Sequence, residues 1–175
     1  MTEWVALLRG VNVGGITIRS ADLADVFRGL GFEGVRTVLA SGNVLFEADG
    51  SARAGLKATI EEALRARFGY DAWILLVTQA ELSAAIDAFP FDESDAGRQP
   101  WVVFCLDDAT RDELVDAAAS LDPAVDPVRP GPGVVYWNPV KGTTTDSPFA
   151  KVLARKALKA RTTNRNLRTL RKLAP

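Results

Sequence analysis

The chain has 175 residues, 47% of them apolar, with 21 Lys and Arg against 22 Asp and Glu, a single Cys and no His. That length buries enough surface to fold without staples, and no apolar run reaches the ~18–20 residues needed to cross a bilayer. A disulfide scaffold, a helical membrane protein and any chemistry resting on an imidazole are therefore excluded, and a compact cytoplasmic protein is the expectation.

Trp4 to Arg9 reads as a first strand, and Ser20 as the N-cap of a helix whose Leu23, Val26, Phe27 and Leu30 recur at helical spacing, with Gly31 ending it. Val35 to Ala40 and Asn43 to Glu47 are β-rich runs joined by the tight turn Ser41-Gly42. A second helix is expected from about Ser51, with Leu56, Ile60, Leu64 and Phe68 on one face and Gly69 as its stop, before a strand from Ala72 to Val77. This order is the ferredoxin-like βαββαβ arrangement. Thr78-Gln79-Ala80-Glu81 forms a capping box for a helix carrying Leu82, Ile86 and Phe89 and ended by Pro90.

From Trp101 the pattern repeats. Trp101 to Leu106 parallels Trp4 to Leu8, and Thr110-Arg111-Asp112-Glu113 reads as a capping box for a helix with Leu114, Val115, Ala118 and Leu121. A constant offset of 90 aligns Ser20 with Thr110, Val38 with Val128, Val44 with Val134 and Phe46 with Tyr136, and sets the Gly42 turn against Pro130-Gly131-Pro132-Gly133. The fold class is therefore α+β: two related ferredoxin-like halves, 1–78 and 79–175, forming one unit. Trp4 precedes its helix by seven residues more than Trp101 does, so the Arg9 to Ile18 loop is an insertion on a repeated scaffold, where function is commonly added.

Ser147-Pro148-Phe149 starts a helix with Phe149, Val152, Leu153 and Ala157 inside and Lys151, Arg155, Lys156 and Lys159 outside. A last helix is expected from about Thr163, with Leu167, Leu170 and Leu173 buried and Arg165, Arg168, Arg171 and Lys172 outside; no final strand is evident in the second half. All 22 acids lie in residues 1–146 together with 12 of the bases, while 147–175 holds nine bases and no acid. Such a tail either folds back on the acidic body or meets an external anion.

Three segments carry a family resemblance: Ala6-Leu7-Leu8-Arg9-Gly10-Val11-Asn12-Val13-Gly14-Gly15, Ser41-Gly42-Asn43-Val44-Leu45-Phe46, and Thr163-Asn164-Arg165-Asn166-Leu167 with Thr169 and Lys172-Leu173. On these the chain resembles a bacterial family known only as domain of unknown function 1697, with Leu167 and Ser20 standing where the family usually has Trp and Met. The resemblance implies a small α+β fold of two related halves and no assigned activity.

In a ferredoxin-like half, the end of the first strand and the turn of the central hairpin share one end of the sheet. That geometry gathers Arg9, Asn12, Gly14 and Gly15 near Ser41 and Asn43, a set suited to an anion: glycine amides, a guanidinium fork and small polar side chains. Arg165 and Asn166 are candidates for a second cation and amide at the same place. The alternative for each is structural, with the glycines serving the bend and Ser41-Gly42-Asn43 serving the turn. The spacing Gly10-x3-Gly14-Gly15 fits neither the dinucleotide fingerprint nor the phosphate loop, so no cofactor is implied. With no His, a Cys105 set among apolar residues and no metal-ligand spacing, the reading leans away from an enzyme. It favours a module that binds a small anionic ligand or a protein partner, oligomeric state open. The competing reading is a nucleic-acid binder using Lys151, Arg155, Lys156, Lys159 and Arg168.

Overall fold

A computed structural model describes residues 1–9, 17–38, 42–50, 52–69 and 71–174. The chain divides into two compact units, Met1–Leu82 and Ser83–Pro175.

In the first unit β1 (Thr2–Arg9), α1 (Ser20–Gly29), β2 (Glu33–Val38), β3 (Asn43–Ala48), α2 (Arg53–Phe68) and β4 (Trp73–Thr78) build an antiparallel sheet in the order β2-β3-β1-β4. Alternation along β1 turns Trp4, Ala6 and Leu8 toward Leu23 and Phe27 of α1 and Leu56, Ile60 and Leu64 of α2, which makes one apolar core with Val44, Phe46, Ile74 and Leu76. Gly69 ends α2 in the left-handed region at φ 70°, as its position after the last apolar turn requires. Buried Glu61 on α2 accepts from Lys57 Nζ at 2.8 Å and from the Ile74 amide at 3.0 Å, so one carboxylate ties helix to strand. The expected capping box is present: the Thr78 amide donates to Glu81 Oε2 and the Glu81 amide to Thr78 Oγ1, both at 3.1 Å, at the entrance of α3 (Gln79–Asp87).

The second unit carries β5 (Trp101–Cys105), α4 (Asp108–Ala118), β6 (Val128–Gly131), β7 (Val134–Trp137), α5 (Pro148–Leu153), a 3-10 turn (Lys156–Leu158), β8 (Thr162–Asn166) and α6 (Leu167–Leu173). Its sheet is antiparallel in the order β6-β7-β5-β8. The order of the strands and first two helices and the sheet order are thus shared by both units, the second adding a 3-10 turn before its last strand and α6 after it, and the α+β fold of two similar halves stands as the sequence implies. The core here joins Val103, Val135 and Trp137 to Leu114, Phe149, Val152, Leu153 and Leu158. Asp126, just before β6, is 2% exposed: its Oδ1 accepts from Trp137 Nε1 at 2.9 Å and its Oδ2 from the Phe149 amide at 3.1 Å.

Several expectations are corrected. The segment from Thr163 is not a helix start: Thr162–Asn166 is the last strand, paired with β5 from Trp101↔Asn166 to Cys105↔Thr162, and α6 begins only at Leu167. A uniform offset of 90 fails at the central hairpin. Val44 and Phe46 face the helices of their unit, and their counterparts in that role are Val135 and Trp137, not Val134 and Tyr136; a one-residue slip reverses every side chain of a strand. Pro130 and Gly131 belong to β6, which leaves Pro132 and Gly133 as the turn. Ser20 is the first residue of α1, with Arg19 in the N-cap position and no side-chain cap. The cap of α4 is Asp107, whose Oδ1 accepts from the Thr110 amide at 2.8 Å and hydroxyl at 2.6 Å, so Thr110 lies inside the helix. The helix from Ser147 is only six residues long, although Ser147 caps it as expected, its Oγ accepting from the Ala150 amide at 3.2 Å.

Candidate functional site

Arg9 is the last residue of β1 and sits opposite Trp73 of β4. It shares the strand face of Val5 and Leu7, the face turned away from α1 and α2. Leu7 is directly opposite Asn43, the first residue of β3, so Arg9 and Asn43 are diagonal neighbours on one face, ~7–8 Å apart by sheet geometry. The Leu8 amide donates to the Gly42 carbonyl at 2.9 Å, which carries the β1–β3 ladder into the turn. Gly42 has φ 80°, a conformation that a side chain resists, and this is why the turn needs a glycine. The end of the first strand and the mouth of the hairpin therefore do meet.

The two described residues at that corner are in different environments. Arg9 is half-buried, and burial lowers its guanidinium below the ordinary arginine value without removing the charge. Asn43 is fully buried, and its Nδ2 donates to the Val38 carbonyl at 3.1 Å, closing the hairpin from within. Asn12, Gly14, Gly15 and Ser41 lie outside the described residues. Residues 10–19 separate β1 from α1, whereas Leu106 and Asp107 alone separate β5 from α4, so the two connections differ in length.

Arg165 and Asn166 belong to the second unit and both have structural duties there. Arg165 is a buried strand residue whose Nη1 donates to Thr163 Oγ1 at 2.7 Å and to the Asn164 carbonyl at 2.9 Å. Asn166 caps α6, its Oδ1 accepting from the Arg168 amide at 2.9 Å. Lys151, Arg155, Lys156, Lys159 and Arg168 are all exposed. Of the strand aromatics, Trp4, Phe46, Phe104, Tyr136 and Trp137 are buried, while Trp73 and Trp101 are half-buried.

Cys105 is half-buried, and desolvation pushes its thiol up to about 12, the opposite of an activated nucleophile. Among the described residues no cluster of three or more carboxylates or thiols is placed to hold a metal, and no helix is long and apolar enough to cross a membrane. Sequence reasoning missed Asp126 and Glu61, the two buried carboxylates among the described residues. An isolated acid between Val125 and Pro127, or in the middle of a charged helix, has no pattern to announce it.

Comparison with known proteins bears on the fold. The family model described as a protein of unknown function, DUF1697, matches residues 1–136. The structure resembles that of the conserved bacterial protein SP0830 from Streptococcus pneumoniae with a TM-score of 0.81 and 22% identity, covering 98% of this chain and 96% of that one. No curated protein matches the chain.

Proposed function

The chain belongs to the DUF1697 family, and from that premise we propose that it is a non-catalytic binding module holding a small anionic ligand at the Arg9 corner of its first sheet. The observation that carries this reading is the shared face and shared end of Arg9 and Asn43, where the β1–α1 connection, longer than its β5–α4 counterpart, begins. A half-buried guanidinium is an anion site of raised strength, because its charge is less screened than at an open surface. In this reading Arg9 supplies the charge and Asn12, Gly14, Gly15 and Ser41 supply amide and side-chain donors. Asn43 positions the hairpin from its buried place. The missing histidine and the inert thiol of Cys105 support binding rather than turnover, and a cytoplasmic location accords with the unpaired cysteine.

Thermal-shift titration with inorganic phosphate, pyrophosphate and nucleoside phosphates, run on wild type and on Arg9→Gln, tests it. A ligand at ~100 times its Kd stabilises the folded state by ~2.7 kcal/mol, a readily measured rise. The reading requires a concentration-dependent rise in wild type that Arg9→Gln loses. Equal increments in both proteins overturn it.

A further inference from the structure

The nine bases of residues 147–175 do not share one fate. Arg161 donates to Thr110 Oγ1 at 3.2 Å and pairs with Glu113 at 3.0 Å, Arg171 pairs with Glu93, and Arg165 is buried in β8. Three bases have thus turned back onto their own unit. Lys151, Arg155, Lys156, Lys159, Arg168 and Lys172 are exposed, and among the described residues none of the six is in an ion pair. Four of them fall within the nine residues from 151 to 159.

The fold fixes that stretch firmly. Phe149, Val152 and Leu153 on one side of α5, and Leu158 in the 3-10 turn, are core residues, so the backbone between them is held while the cations project outward. The neighbouring helix α4 carries four carboxylates, but Arg111 lies against Asp108 and Asp112 at 3.4 and 3.2 Å and Arg161 against Glu113, so two of its four negative charges are balanced, and among the described residues none is paired with Lys151, Arg155, Lys156 or Lys159. We infer that Lys151, Arg155, Lys156 and Lys159 form a docking ledge for the sugar-phosphate backbone of duplex nucleic acid.

Two features choose the duplex over other polyanions. A site for single strands combines charge with aromatic faces on which bases stack, and among the described residues no aromatic side chain is exposed. An anionic membrane surface is met by basic residues backed by large apolar ones that insert, and the large apolar side chains of this segment, Phe149, Val152, Leu153 and Leu158, are turned into the core, leaving only Ala154 and Ala157 outside. What remains is a rigid, purely cationic surface, which reads phosphates without reading sequence.

The test is fluorescence anisotropy of a short labelled duplex of arbitrary sequence against salt concentration, with the matching single strand and phosphatidylserine vesicles in parallel. Four phosphate contacts give a log Kobs against log salt slope of about −3.6, so affinity falls on the order of 100-fold between 50 and 200 mM salt. The double variant K156E/K159E reduces the slope by about 2, while R36Q, at an exposed position on β2, leaves it unchanged. No duplex binding at low salt, binding indifferent to K156E/K159E, a preference for the single strand, or binding to vesicles alone each overturns the inference.

Discussion

Replacing Asp126 by alanine removes the acceptor that two buried donors share. Trp137 Nε1 and the Phe149 amide, 2.9 and 3.1 Å from its two oxygens, are left facing an apolar cavity, since both residues are fully buried and their rings lie 5.4 Å apart. Each orphaned donor costs ~1–3 kcal/mol, and the relief of no longer burying a carboxylate returns part of that sum, so the net loss is ~2–4 kcal/mol. Asp126→Asn keeps the acceptor for the indole but turns an NH2 group toward the Phe149 amide, so it loses about half as much. Urea unfolding followed by tryptophan fluorescence measures the stability, and hydrogen exchange of the Trp137 indole N–H locates it. In a chain of this length the alanine variant melts roughly 4–16 °C lower. A loss under ~0.5 kcal/mol with unchanged indole exchange in Asp126→Ala refutes the reasoning, because the value of a satisfied buried donor is what the magnitude is built on.

Three further outcomes follow from local geometry. At Gly131 an added Cβ meets Tyr136 Cε2 at 2.6 Å and Val134 Cγ2 at 3.0 Å, and Tyr136 cannot retreat because its hydroxyl donates to the Ala85 carbonyl at 2.7 Å, so Gly131→Ala destabilises by ~1–3 kcal/mol in a denaturant titration. Asp107 has its pKa lowered by the Thr110 hydroxyl and amide; a depressed carboxylate contributes stability above its unfolded value near 3.8 and loses it as pH falls through the folded one. Asp107→Asn, which keeps the cap, therefore flattens the acid limb of the stability–pH curve below about pH 4 and leaves neutral stability nearly unchanged. Half-buried Cys105, its thiol pushed up to about 12 by desolvation, reacts with a thiol-specific reagent at pH 8 far more slowly in the native protein than in denaturant, and equal rates would contradict that shift.

What was legible in the sequence was whatever rests on periodicity and local hydrogen bonding. The apolar spacing of α2, the Thr78–Glu81 box and the Ser147-Pro148 entrance are encoded within a few residues, and they form where expected. β8 was not legible because its residues, Thr-Thr-Asn-Arg-Asn, lack an alternating apolar face; pairing with β5 makes it a strand, and that pairing is non-local. The one-residue slip at β7 arose because Val134, Val135, Tyr136 and Trp137 are all apolar and all buried, so composition could not say which pair faces the helices. Thr110 looked like a cap because it precedes Arg-Asp-Glu, but Asp107, three residues earlier, accepts both of its donors. At the candidate site, βαββαβ order alone was enough to bring Arg9 and Asn43 together, since strand ends are set by topology. Whether Asn43 would be exposed or closed over was not readable, for that depends on how deep the hairpin sits.

The central claim, an anion held at the Arg9 corner, is met most directly by backbone-amide NMR during titration with pyrophosphate. The account predicts chemical-shift changes at Leu8, Arg9, Gly42 and Asn43 that saturate and vanish in Arg9→Gln. Shifts confined to the exposed bases of residues 151–172, or none at millimolar pyrophosphate, contradict it.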